Sequence, residues 1–98
     1  MKTTLRSTLI ATLLMVMAGP LSAACFADYK AKRDNPLRLH YGVIELPGAA
    51  CADPALARAQ IAKRIGADGW KLLKFLSIFD ESGLEEKKDS AGKFYLRF

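Results

Sequence analysis

Apolar and polar positions alternate along this chain with two different periods, and the changes of period mark its elements. From Arg38 to Val43 the period is two: Leu39, Tyr41 and Val43 alternate with Arg38, His40 and Gly42. That is the pattern of a strand with one buried face. It predicts a strand over 38–46, closed by Pro47-Gly48. Residues 26–33 read as an extended arm, with a short helix or the other half of a hairpin as alternatives. Asn35-Pro36 is a turn signal behind them. A symmetric hairpin about residues 34–37 would set Arg33 opposite Arg38, a like-charge pair that disfavours this register.

The period then lengthens. Asp53 is a good N-cap, its carboxylate accepting from free amides. Pro54 suits the first helical position, where no donor is needed. A helix is predicted from there to about Ile65, with Ala55, Ile61, Ala62 and Ile65 on one side. Gln60, Lys63 and Arg64 take the other side, and Leu56 falls near it. Gly66 is placed to end this helix in the left-handed region, and Asp68-Gly69 to turn the chain.

Beyond the turn, Leu72, Leu73, Leu76 and Phe79 fit a helix face as well as a strand. Gly69 in front and the presence of Phe75, Ile78 and Phe79 favour a strand over 70–79. Asp80 to Gly83 turns, Leu84 to Lys88 reads as a loop or short strand, and Ser90-Ala91-Gly92 turns again. In Lys93–Phe98, Phe94, Leu96 and Phe98 alternate with Tyr95 and Arg97, which predicts a final strand. The fold class expected is α+β. It is a small antiparallel-rich sheet of three to four strands with one helix packed on a face, following an N-terminal signal helix.

The helix–turn–strand passage carries a resemblance. Leu39-His-Tyr-Gly-Val-Ile-Glu-Leu, a helix, Ile65-Gly-Ala-Asp-Gly-Trp-Lys-Leu-Leu and a closing Phe94-Tyr-Leu-Arg-Phe resemble a widespread family of small bacterial domains of unknown function. Those domains read strand, helix, a Gly-Ala-Glu-Gly-Trp-Glu-Leu-like turn, then two strands. The match covers about residues 38–98 and rests on the motif around Trp70. Asp68 and Lys71 stand where the family often has glutamate. The chain is also similar to uncharacterised small exported proteins of alphaproteobacteria. Neither resemblance implies an activity or a catalytic residue.

Composition adds a compartment. Lys2 and Arg6 precede an apolar run, Leu9 to Ala18, broken only by Thr12 and followed by Gly19-Pro20 and Ser22-Ala23-Ala24. This is the three-part export-signal pattern, and the run is too short to stay as a membrane span. Residues 1–24 are therefore expected to be a signal peptide, cleaved after Ala23 or Ala24, and 25–98 a single small domain in the periplasm or secreted. Removing Lys2 and Arg6 lowers the formal charge from +5 to +3, which is not a nucleic-acid-binding balance. So small a domain buries too little surface to be stable without a staple. Cys25 and Cys51 are the two cysteines. An exported chain with an even count favours a Cys25–Cys51 disulfide. One alternative is a lipoprotein anchored through Cys25, although Ser22 stands where a lipobox usually has leucine. The other is a reactive thiol pair, but no Cys-x-x-Cys exists to activate a thiolate.

No constellation carries recognisable chemistry. One histidine and two distant cysteines do not make a zinc set. His40 reads as a half-buried strand residue. Asp80-Glu81 and Glu85-Glu86 read as solvated loop charges beside Lys87 and Lys88, and no triad, phosphate loop or dinucleotide fingerprint occurs. No enzyme activity, metal or cofactor is expected. The basic cluster Lys30, Lys32, Arg33 and Arg38, with Tyr29 and Tyr41 nearby, is a candidate surface for an anionic partner. Trp70 reads as core, with ligand stacking as the functional alternative. The functional expectation is a disulfide-stapled binding or accessory domain meeting an envelope protein or anionic envelope polymer. A lipoprotein, or a small enzyme or inhibitor using the segment 80–92, is the alternative. A membrane enters only if Cys25 is lipidated, and a homodimer by edge-strand pairing stays open.

Overall fold

The computed structural model describes residues 24–98. The expected signal helix lies outside the described residues. Strand β1 spans Cys25–Arg33 and β2 spans Arg38–Leu46. A short helix, α1 (Gly48–Cys51), leads to α2 (Pro54–Gly66). Strand β3 spans Lys71–Phe79, and α3 spans Leu84–Ala91. The sheet order is β2-β1-β3, antiparallel throughout. The α+β class and the antiparallel sheet thus stand as expected. The order of elements differs, because residues 26–33 form a full sheet strand and a second long helix follows β3.

Strand β1 is the middle of the sheet, so both of its edges are paired. Cys25, Ala27, Tyr29 and Ala31 point to one face, together with Leu46, Ile44, Gly42 and His40 across the β1–β2 register. Helix α2 packs there through Ala57, Ile61 and Ile65. Alanines at 27, 31 and 57 let the helix approach the sheet closely. The other face carries Asp28 and Val43, and α3 closes over them, with Lys87 Nζ 3.6 Å from Asp28. Tyr41 Oη donates to Asp28 over 2.8 Å and Ser77 Oγ donates over 2.7 Å. This buried carboxylate is therefore fully partnered, as burial requires.

Several sequence expectations are corrected here, each for a physical reason. The alternation in β2 predicts burial of Leu39, Tyr41 and Val43; Val43 is buried and Tyr41 half-buried on the α3 side, but Leu39 is 65 % exposed, and His40, Gly42, Ile44 and Leu46 are the residues that face α2. Apolar type does not decide parity when the neighbouring strand supplies Tyr29. The hairpin register does set Arg33 opposite Arg38. The repulsion is relieved because the Arg33 guanidinium leaves its partner, stacks 4.3 Å over the Trp70 ring and donates to the Asp68 carbonyl oxygen. Helix α2 ends as expected, but Gly66 stays helical and Gly69 takes the left-handed conformation at φ 85°. In α2, Ala57 joins Ile61 and Ile65 inside, whereas Ala55 and Ala62, expected on that side, are exposed.

The segment 84–88, expected as loop or short strand, is helical. Asp80 accepts from the Ser82 amide to start a 3₁₀ turn that leads into α3. Residues 93–98, expected as a strand, instead form a 3₁₀ turn over Gly92–Phe94 and then touch β2 at one point, Val43 with Tyr95. The Leu96 amide donates to the Val43 carbonyl over 2.8 Å, with Leu96 at φ 53° and its side chain, expected inside with Phe94 and Phe98, exposed. A regular strand would keep Phe94 and Phe98 beside the β2 edge. The turn carries them around that edge, from the α3 side to the α2 side, where both pack on the core. Arg64 of α2 holds the wrap, donating to the backbone oxygens of Glu45 and Phe98, each over 2.8 Å.

The Cys25–Cys51 disulfide joins the first residue of β1 to the last of α1, with Cα atoms 5.9 Å apart. Lipidation would need the same Cys25 sulfur that bonds Cys51, so the anchored alternative and this staple exclude one another. The closed loop spans 26 positions, for which the chain-entropy model gives roughly 3 kcal/mol of stabilisation. Cys51→Ser, or reduction of the native protein, is expected to lower unfolding free energy by about that amount in urea titrations.

Gly42 is fixed by a second contact. The Tyr29 ring lies across it, and a Cβ there would come within 2.5 Å of Tyr29 Cζ. Gly42→Ala is expected to cost about 2–3 kcal/mol by displacing that ring. Urea midpoints measure the loss, and a weakened near-UV tyrosine signal would accompany it.

Candidate anion-binding cleft

The open end of the sheet, toward the β1–β2 turn, gathers an aromatic group on the α2 side. Tyr29 Oη and His40 Nε2 are hydrogen-bonded at 3.0 Å. The Phe94 ring stacks on His40 with centroids 3.6 Å apart and 8° between planes. Trp70 meets His40 edge-on at 4.3 Å and Phe94 edge-on at 5.4 Å. These rings come from β1, β2, the α2–β3 turn and the C-terminal segment, so the group forms only when all four are in place. Trp70 is 7 % exposed.

Above the rings lies a cleft of about 280 Å³ whose rim includes Arg33, Arg38, Lys93 and Arg97, with Asp68 as its carboxylate. Arg33 is committed, since it covers Trp70 and lies 3.6 Å from the Asp68 carboxylate. Among the described residues, Arg38, Lys93 and Arg97 have no carboxylate within 4.0 Å. Lys93 and Arg97 lean over the Phe94 ring at 5.7 and 5.9 Å. Such a site has unspent positive charge above an apolar floor, where charge-assisted hydrogen bonds to an anion are strongest.

His40 senses that charge. Burial, reinforced by the Arg33 and Arg97 guanidinium groups, pushes its pKa down to about 4. Its Nδ1 is buried without a hydrogen-bond partner among the described residues, so the imidazolium would hold a buried, unsatisfied Nδ1–H donor. The imidazole is therefore neutral at pH 7 and serves as a core ring. Tyr29 is pushed up to about 12, chiefly by burial, so it too stays neutral.

The residues singled out from the sequence divide. Arg33 and Arg38 line the cleft, while Lys30 and Lys32 point to the opposite face, as strand alternation dictates. Trp70 lies beneath the cleft, but Arg33 already occupies the ring face a ligand would stack on. Lys93 and Arg97 were missed because they read as the outward face of a strand that does not form. Asp28 was missed because nothing in its neighbours reveals that Tyr41, Ser77 and Lys87 converge on it. Among the described residues, no helix is long and apolar enough to cross a membrane, and no group of three metal-ligating side chains forms. Comparison with family models, with curated proteins and with solved structures returns no match.

The His40 shift has a stability consequence with a definite sign. Its folded pKa lies below the unfolded value of 6.5, so between the two the unfolded chain binds more protons. Stability is full above pH 6.5 and falls as pH drops toward 4. The expected loss between pH 7 and pH 5 is at most about 2 kcal/mol from this group. Urea midpoints across that range should show it, and His40→Gln should flatten the slope whatever its effect on the baseline.

Proposed function

We propose that this chain is a small exported binding domain that holds an anionic group, a carboxylate or phosphate of an envelope polymer, in the cleft between Arg38, Lys93 and Arg97. The observation that supports the reading is the set of unpaired cations. They come from two separate segments, and converge over the aromatic floor with Asp68 as the opposing carboxylate. A stapled domain with buried rings below and free guanidinium groups above is built to bind by contact. The export pattern in the sequence supplies the compartment in which a disulfide and an envelope polymer meet. In this reading Arg33 is the fixed wall, held by Trp70 and Asp68, while Arg38 and Arg97, with no carboxylate partner, clamp the anion.

Trp70 is the chain's single tryptophan and lies directly under Arg33, so its emission reports on the cleft. Titration with glucuronate and with glucose 6-phosphate should change that emission, and glucose at the same concentration should not. Arg38→Gln and Arg97→Gln should each weaken the anion's binding roughly tenfold, the loss of about one charge-assisted hydrogen bond. An emission indifferent to both anions, or variants that bind as the parent does, would overturn the reading.

A further inference from the structure

The second face of the sheet is covered over only part of its length. Helix α3 lies over the part around Asp28 and Val43. Toward the β1–β2 turn, the register places two rows of side chains on the same face. Tyr41, Lys30 and Lys74 form one row, and Leu39, Lys32 and Lys71 form the next. Lys30, Lys71 and Lys74 are exposed. Like charges directly opposite across strands are destabilising. Here two lysine pairs, Lys30 with Lys74 and Lys32 with Lys71, stand side by side. Asp34, 3.5 Å from Lys32, is the carboxylate that meets this group; Lys30, Lys71 and Lys74 have none within 4.0 Å among the described residues.

The same surface is apolar between its charges. Leu37 in the turn is 63 % exposed, Leu39 65 % and Leu73 49 %. Leu73 stands at an irregularity in the β1–β3 register, where an extra β3 residue enters. There it lines a shallow depression of about 320 Å³ with Lys30, Leu39 and Tyr41. A solvated charged face needs no leucines, and an ordinary protein interface is depleted in lysine. Exposed leucines set among unpaired lysines, with a tyrosine at the margin, match the chemistry of a bilayer surface. Apolar side chains enter the headgroup boundary while ammonium groups remain at the level of anionic phosphates.

We propose that this face docks on a bilayer containing anionic phospholipid, with Leu39 and Leu73 inserted and Lys30, Lys32, Lys71 and Lys74 at the phosphates. The lipid phosphates then supply the counter-charge that Lys30, Lys71 and Lys74 lack. Docking through this face needs no lipid on Cys25. The face meets the cleft at Leu39, which lines both, but Lys71, Leu73 and Lys74 do not line the cleft, so substitutions at these three probe the docking face alone.

The test is co-sedimentation of the oxidised protein with vesicles of phosphatidylcholine, alone or with about 30 % phosphatidylglycerol. Wild type should partition at least tenfold more strongly onto the anionic vesicles, with a preference that falls as salt rises. Lys71→Gln with Lys74→Gln should reduce that partition about 25-fold, from roughly fivefold per lysine. Leu73→Ser should weaken it several-fold. Every variant has the same N-terminus as wild type, so the differences among them belong to this face. Near-UV dichroism checks the fold, and Lys30→Gln repeats the measurement should a variant lose it. Equal partition onto neutral vesicles, or variants that partition as wild type, overturns the proposal. So does binding to soluble polyglutamate with none to vesicles, which would make the partner an acidic protein.

Discussion

The Tyr29 ring lying across Gly42 is the contact on which the rest of this domain depends. It removes any side chain from the middle of β2 and turns the tyrosine toward His40, where the two share a hydrogen bond. That choice fixes which face of β2 looks inward. It seats a neutral imidazole at the open end of the sheet as a flat surface, and Phe94 stacks on it. Trp70 then closes the group edge-on from the α2–β3 turn. An aromatic ring covering a bare glycine on the neighbouring strand is a known way to fill the gap the glycine leaves. Here it also decides where the C-terminal segment must go.

Charge is distributed by the same geometry. Sequence proximity groups Lys30, Lys32, Arg33 and Arg38, but strand alternation sends the lysines and arginines to opposite faces. Each set then acquires cations from elsewhere: Lys71 and Lys74 from β3 on one side, Lys93 and Arg97 from the C-terminal wrap on the other. One end of the sheet becomes positive on both faces. On the α2 side the charges stand over buried rings and form a cleft. On the other they stand among exposed leucines and form a surface. The difference in what lies between the cations separates a site for a small anionic group from a site for an extended anionic sheet of lipid.

Stability and recognition meet at the disulfide and at the arginines. The staple holds the start of β1 to α1 at the end of the sheet opposite the cationic cleft. The open end is instead held by Arg33, through its contacts with Asp68 and the Trp70 ring, while Arg64 ties Phe98 to the backbone of Glu45 near the stapled end.

Local signals determined much of this protein by themselves. Asp53 and Pro54 set the start of α2, Gly69 set the turn before β3, and the two cysteines set the staple, because each acts through neighbours in sequence or through simple pairing. The strand character of 71–79 was legible from its flanking glycine and its aromatic content. What tertiary structure alone decided were parity, partners and the path of the last segment. His40 is buried and Leu39 exposed because Tyr29 occupies the space beside Gly42, a fact of strand register. Lys93 and Arg97 reach the cleft because the chain after α3 rounds the β2 edge instead of extending. The alternation in 93–98 cannot show this, since Phe94 and Phe98 satisfy their burial equally well from a turn that delivers them onto His40.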